Sequence, residues 1–360
     1  MNNQKYQEFI ASKTSVAQLT GLKYIPDLDS RLFDFQRDIT RWSLRRGRAA
    51  IFAGCGMGKT FMQLEWAHHV PGRTIILAPL TVAKQTERMA CKWGIDAKYR
   101  RDPAQIQDER IIIINYEMID HFDFGGYTGI VLDESSILKS YSGVMRNHII
   151  EKSQVCPFRL ACTATPAPND YMELGNHSEY LGVMSRTEML SMFFVHDGGE
   201  TQKWRLKGHA ESEFWKWVAS WAIMLRMPSD LNYQDDGFVL PELRIHNHVV
   251  CIDHDSRDGF LIDMPAVPLM ERRRARRRSI NKRVEMTADL AADQEQWVIW
   301  CDLNDESHLL ADSIDGAIEV CGSNTPEYKE KALLDFIDGT HRVLVSKPTI
   351  CGFGVNFQNC

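Results

Sequence analysis

Short, largely apolar runs recur along the first half of the chain, at residues 49–53, 74–78, 111–115, 129–132 and 158–162. None alternates apolar with polar positions as a half-wetted strand does, so each predicts a strand buried on both faces. Between them lie stretches with helical spacing, at 35–46, 59–69 and 82–93, and Pro71 with Gly72 closes the second. A short helix is also expected at 4–11. Strands separated by helices predict a parallel sheet covered on both sides. The expected class is α/β, with residues 1–30 as an N-terminal extension and 31–177 as a first three-layer lobe.

Residues 178–240 break that rhythm. Methionine and aromatic side chains crowd the stretch, among them Trp204, Trp215, Trp217 and Trp221, and 211–226 has helical spacing. The pattern predicts a helical insert packed on the first lobe, rather than a set of rings that stack on bases. A second α/β pattern fills 241–360, with strands expected at 246–251, 297–301, 317–321 and 342–346 and a long basic helix at 270–292. This second sheet is short by several elements for a complete lobe. His246, His248 and His254 have no acidic or cysteine partner at metal-ligand spacing, so they read as ordinary strand and loop residues.

Composition changes the picture little. Of 360 residues, 44% are hydrophobic and 25% are charged, the balance of a globular protein with room for two cores. No apolar run reaches the length of a membrane span, and residues 1–5 lack the apolar centre of a signal peptide. Nine cysteines make no Cys-x-x-Cys pair, which argues against zinc and for reduced thiols in a cytoplasmic setting. The net charge of −6 gives no general attraction to nucleic acid. One run opposes that balance: Arg272, Arg273, Arg274, Arg276, Arg277 and Arg278 lie almost side by side. Such a run is either a solvated helix face or a contact for a phosphate backbone.

The candidate chemistry sits at two strand ends. Ala53 is followed by Gly54, Cys55, Gly56, Met57, Gly58, Lys59 and Thr60, a glycine-rich turn from strand into helix. A turn of this kind brings backbone N–H groups and a helix N-terminus to phosphate oxygens. There Lys59 reaches the β- and γ-phosphates of a nucleoside triphosphate, and the Thr60 hydroxyl ligates Mg²⁺. Ala53 stands where the strict pattern has glycine. The second end is Ile130-Val-Leu-Asp-Glu134. Open α/β sheets bind ligands at the carboxyl ends of their strands. Asp133 is thus placed to hold Mg²⁺, and Glu134 to orient and polarise an attacking water. Together the two segments predict hydrolysis of ATP or GTP.

With these residues in view, the order of motifs resembles that of superfamily 2 helicases, nearest to the Swi/Snf-type branch and its phage-encoded relatives. Leu32-Phe-Asp-Phe-Gln-Arg37 looks like the segment whose glutamine, here Gln36, reads the adenine edge and selects ATP. Residues 74–80, which include Pro79, resemble with Gln85 the motif that meets the nucleic-acid backbone. Asn115-Tyr-Glu117 is similar to an element that ends a strand in Swi/Snf-type proteins. Asp133-Glu-Ser-Ser136 stands where the family has Asp-Glu-x-His or Asp-Glu-Ala-Asp, so Ser136 departs from both. Thr163-Ala-Thr165 with its prolines resembles the Thr-Gly-Thr-Pro element that couples hydrolysis to movement between lobes, and Asn169, Glu173 and Leu174 continue the likeness. Leu240-Pro-Glu-Leu243 resembles the entry to the second domain, and Gly352, Gly354 and Asn356 match the fifth motif.

The resemblance implies two RecA-like parallel-sheet lobes, the second incomplete, with ATP and Mg²⁺ as cofactors. The family's last motif is a helix that carries an arginine finger. It does not appear before Cys360, so the chain reads as truncated ahead of it, with impaired hydrolysis. The implied function is an ATP-dependent translocase or helicase on DNA, duplex rather than single-stranded. Pro79, Gln85, Arg272, Arg273, Arg276 and Arg277 are the candidate contacts. The alternatives are a motor subunit of a restriction or remodelling assembly, with a nuclease or replication partner, and an ATP-binding scaffold with little turnover. A phage origin would make the setting the host cytoplasm.

Overall fold

The computed structural model describes residues 17–139, 143–196, 204–251, 269–352, 354, 355, 357 and 360. The helix expected at 4–11 and the motif residue Asn356 lie outside the described residues. The chain divides into two compact units, Met1–Leu240 and Pro241–Cys360. No helix among the described residues is long and apolar enough to cross a membrane.

Among the described residues, nine strands belong to the first unit: β1 (Arg48–Ala53), β2 (Thr74–Ala78), β3 (Ala97–Tyr99), β4 (Ile111–Asn115), β5 (Gly129–Asp133), β6 (Phe158–Thr163), β7 (Phe194–His196), β8 (Trp204–Leu206) and β9 (Ala222–Leu225). Seven of them lie side by side in the order β3-β4-β2-β5-β6-β1-β9, every pairing parallel, while β7 and β8 form a small antiparallel pair. The apolar runs account for this arrangement. β2, β4 and β5 are buried at all their positions, as strands covered on both faces must be. Helices Asp34–Arg46, Lys59–His69, Leu80–Lys92 and Leu174–Leu181 pack on the sheet.

The stretch 178–240 packs helices Arg186–Phe193 and Glu211–Ala219 on the first unit's core and contributes β7, β8 and β9 as well. The helix expected to reach residue 226 is Glu211–Ala219 and stops there; Trp221 enters the core, and Ala222–Leu225 pairs with β1, Ala50 opposite Ala222. A free side of β1 offers unpaired backbone groups, and pairing them outweighs the helical preference of four apolar residues. Trp217 and Trp221 are wholly buried, with ring centroids 5.4 Å apart, and Trp221 meets Phe52 edge-on. These rings fill the core.

The second unit carries a smaller parallel sheet of β10 (Trp297–Trp300), β11 (Ala317–Val320) and β12 (Val343–Ser346), ordered β10-β12-β11. Ile299, Leu310, Ile314, Val343 and Val345 pack together in one cluster, and Val320, Leu333, Phe336 and Leu344 in another. Two expectations fail here. Residues 246–251 form no strand; they have no regular secondary structure and are mostly exposed, and no strand among the described residues pairs with them. An apolar alternation needs a neighbouring strand to become one. The basic helix expected at 270–292 is two helices, Leu269–Arg278 and Ile280–Leu290, because Ser279 leaves helical geometry at φ −91° and ψ 1°. Its Oγ donates to the Ala275 carbonyl at 3.0 Å, and Arg283 Nη1 donates to the Arg276 carbonyl at 2.7 Å. The Ala275 carbonyl also keeps the Ser279 N–H at 3.1 Å, whereas the Arg276 carbonyl is met by side chains.

Candidate active site

The loop 54–58 joins the end of β1 to helix Lys59–His69. Gly56 and Gly58 have φ of +82° and +77°, a region that favours glycine. A Cβ at Gly58 would stand 2.3 Å from Gln36 Nε2, and one at Gly54 would stand 2.9 Å from the Arg226 carbonyl oxygen. A Cβ at Gly56 would meet nothing within 4 Å, so the loop is open at that point. Among the described residues, the N–H groups of Cys55, Gly56, Gly58, Lys59 and Thr60 have no hydrogen-bond partner. They are the free donors of a turn and of a helix start. Lys59 Nζ donates to the carbonyls of Ala53 at 2.9 Å and Gly54 at 3.1 Å, which folds it over its own loop.

The ends of β1, β6 and β5 are neighbours in the sheet, so the loop and the acidic pair share one edge. Asp133 is 7% exposed, and its Oδ1 accepts from the Glu134 N–H at 3.1 Å. Burial pushes its pKa from 3.8 up to about 6; the Gln63 amide pulls it down, the Glu134 charge adds to the rise, and the Lys59 ammonium opposes it. Tyr116 donates its hydroxyl to the Asp133 carbonyl at 2.7 Å and steadies the strand end.

Glu134 has φ +56°, in the left-handed region, where side chains other than glycine are strained. Its Oε1 accepts from Ser136 Oγ and from Thr163 Oγ1, both at 2.7 Å. Thr163 Oγ1 in turn accepts from the Thr165 N–H at 3.1 Å. The Asp-Glu-Ser-Ser and Thr-Ala-Thr segments are therefore one network. Ser136, whose role the sequence left open, is an orienting partner of Glu134. Sequence reasoning missed His177, which is wholly buried with its Nε2 3.1 Å from Ser135 Oγ. Burial drives its pKa down to about 4, which keeps the ring neutral. Spacing in the sequence carries no signal for this contact.

Gln36 is 3% exposed and braces the loop: Nε2 donates to the Met57 carbonyl at 3.0 Å, and Oε1 accepts from the Phe33 N–H at 3.1 Å. One amide N–H and one lone pair remain beyond those bonds. Thr60 is half-buried at the helix start. A hydroxyl and a carboxylate are hard oxygen donors that suit Mg²⁺. Beside them the Gln63 amide is wholly buried, with neither polar atom hydrogen-bonded. The free N–H groups, the lysine and these oxygens together fit a magnesium-bound triphosphate.

Pro79 ends β2 on the same sheet edge and caps helix Leu80–Lys92, where Gln85 is half-buried. Asn115 Nδ2 donates to Glu117 Oε2 at 2.5 Å, and Asn169 Nδ2 to Glu173 Oε1 at 2.7 Å. Arg272, Arg273, Arg276 and Arg277 are exposed on helix Leu269–Arg278 of the second unit, and Arg276 pairs with Asp302. Gly352 and Gly354 belong to that unit as well.

No protein-family model and no curated protein matches the sequence. Among solved structures, the chain is similar to the Sulfolobus solfataricus SWI2/SNF2 ATPase core in complex with double-stranded DNA. The match has a TM-score of 0.50 and 16% identity, over 95% of this chain and 82% of that one. At that identity the likeness is one of fold. A slighter likeness, with a TM-score of 0.36 and 14% identity, runs to the UvsW helicase from bacteriophage T4 over 51% of this chain and 66% of that one. Both sheets, the large and the small, are parallel, as those of RecA-like lobes are.

Proposed function

We propose that the chain is a DNA-dependent ATPase that couples hydrolysis to movement along duplex DNA. The reading is carried by Glu134, a carboxylate in a strained turn, held by Ser136 and Thr163 next to Asp133 and the open phosphate loop.

On this reading the free N–H groups of the loop receive the phosphates, and Lys59 exchanges two backbone carbonyls for phosphate oxygens. Thr60 and Asp133 hold Mg²⁺, which when bound offsets the negative charge of the phosphates. Glu134 orients the attacking water and accepts its proton, with Ser136 and Thr163 fixing the carboxylate. The Thr163–Thr165 hydrogen bond relays the state of that carboxylate to the segment after β6. Gln36 holds the loop from beneath and has one N–H and one lone pair left for an adenine edge. DNA enters through the fold likeness to a core solved on double-stranded DNA and through the exposed arginines of the second unit.

The test is ATP turnover with no DNA, duplex DNA or single-stranded DNA, beside a Lys59→Ala variant. Turnover raised by duplex DNA and lost in the variant is the expected result. Turnover indifferent to DNA, or unchanged in Lys59→Ala, would overturn the proposal.

A further inference from the structure

We infer, on the nucleotide-site reading above, that Gln63 is a positioning residue for the magnesium ligand Asp133, an outer partner that holds its carboxylate when the cation is bound. Residues three and four apart share a helix face, so Gln63 stands one turn beyond both Lys59 and Thr60. Helix Lys59–His69 packs there on β5 and β6, and β5 ends at Asp133. Gln63 has no exposure, like the apolar Met62 before it.

Neither Gln63 Oε1 nor Nε2 has a hydrogen-bond partner. Thr40 donates to the Gln36 carbonyl at 2.8 Å, Ser43 to the Thr40 carbonyl at 2.9 Å, and Asn176 to the Leu138 carbonyl at 2.8 Å. The indole N–H groups of Trp66, Trp217 and Trp221 and His177 Nδ1 are also buried without a partner, but among the described residues only Gln63 lacks one at both of its polar atoms. A buried amide with both atoms unpaired costs stability, and a methionine of similar length would fill the space without that cost. Helix Lys59–His69, which carries this amide, packs on the strand that ends at Asp133, whose Oδ1 is tied to the Glu134 N–H. Groups that hydrogen-bond a ligating carboxylate orient it, and losing one weakens metal affinity by about 10–100-fold.

The experiment uses the whole chain and its Gln63→Met and Gln63→Glu variants. It reads binding of a fluorescent ATP analogue in EDTA and across a Mg²⁺ titration, together with the urea midpoint of the ligand-free protein. For Gln63→Met the expected result is an equal or higher urea midpoint, parent-like affinity in EDTA, and a Mg²⁺ half-saturation raised about tenfold. Gln63→Glu keeps the length and loses the N–H donor, so its Mg²⁺ requirement rises as well. An unchanged Mg²⁺ half-saturation in both variants overturns the inference. So does a lowered urea midpoint with affinity lost equally with and without Mg²⁺, which marks a purely structural residue. Lys59→Ala separates the two levels. If it abolishes nucleotide binding while both Gln63 variants keep the parent's Mg²⁺ dependence, only the role of Gln63 falls. If it binds nucleotide as the parent does, the nucleotide-site reading falls and takes Gln63 with it.

Discussion

Asp133 and His177 are both buried, and burial moves their pKa values in opposite senses. The Asp133 pKa rises to about 6, so the folded protein holds its proton more tightly than the unfolded chain does. Its contribution to stability is complete below about 4 and is lost as pH rises through about 6. The His177 pKa falls to about 4, so the unfolded chain takes up the proton first and stability is lost as pH falls from about 6.5 toward 4. The two effects offset each other across that window. Asp133→Asn removes one of them. Its urea-unfolding free energy should exceed the parent's by an amount that grows from pH 4 to pH 6 and then levels off, at up to about 3 kcal/mol for a two-unit shift. A difference that shrinks with rising pH would contradict the burial argument. The same variant should lose Mg²⁺-dependent nucleotide binding, so this residue trades stability for function. Glu134→Gln keeps the shape of the strained turn. Single-turnover assays should show ATP bound as before and hydrolysis slowed by about 10²-fold or more. Ser136→Ala removes only one of two orienting bonds and should slow hydrolysis less.

Elements in this molecule are joined by side chains as much as by the sheet. Arg159, the one charged residue in β6, is 2% exposed. Its guanidinium donates to the carbonyls of Cys156 and Gln154, each at 2.9 Å, to Gln154 Oε1 at 2.9 Å and to the Tyr180 carbonyl at 3.0 Å. It thereby ties the start of β6 to the end of helix Leu174–Leu181, and burial lowers its pKa to about 10. Arg159→Ala leaves several buried carbonyls unpaired and should cost about 3–5 kcal/mol, read as a lower urea midpoint. A loss under about 1 kcal/mol would mean that water replaces the guanidinium. The apolar run of β6 was legible in the sequence despite this arginine, but nothing local revealed that Arg159 is a clamp. β9 makes the same point: Ala222–Leu225 is a strand because β1 lies beside it, and Gly54 N–H accepts the arrangement by donating to the Leu225 carbonyl at 2.9 Å.

At the scale of the whole molecule, net charge and charge placement point different ways. The chain carries −6, yet helix Leu269–Arg278 exposes six arginines. Arg276 already pairs with Asp302. Changing Arg273, Arg274 and Arg277 together to glutamine should weaken duplex DNA binding for every sequence alike. It should also reduce the slope of log affinity against log salt by about 3, since each phosphate contact contributes about 0.9. Fluorescence anisotropy between 50 and 200 mM salt measures this, and an unaltered slope would make the helix a solvated face.

What the sequence determined by itself was local in origin. Largely apolar runs marked β1, β2, β4, β5 and β6, because a strand buried on both faces is apolar at most of its positions. The glycines before Lys59 and the acids at the end of β5 were legible because a phosphate loop and a strand-end carboxylate each draw their chemistry from neighbouring residues. The tertiary structure decided the rest. It turned Ala222–Leu225 into an edge strand, broke the basic helix at Ser279 and left 246–251 unpaired. It also set Thr163, 29 residues away, against Glu134, enclosed His177 against Ser135, and buried Gln63 on the helix packed against β5. Each of these depends on which segments the chain brings side by side. A local pattern encodes burial and backbone preference; it does not encode the identity of a distant neighbour.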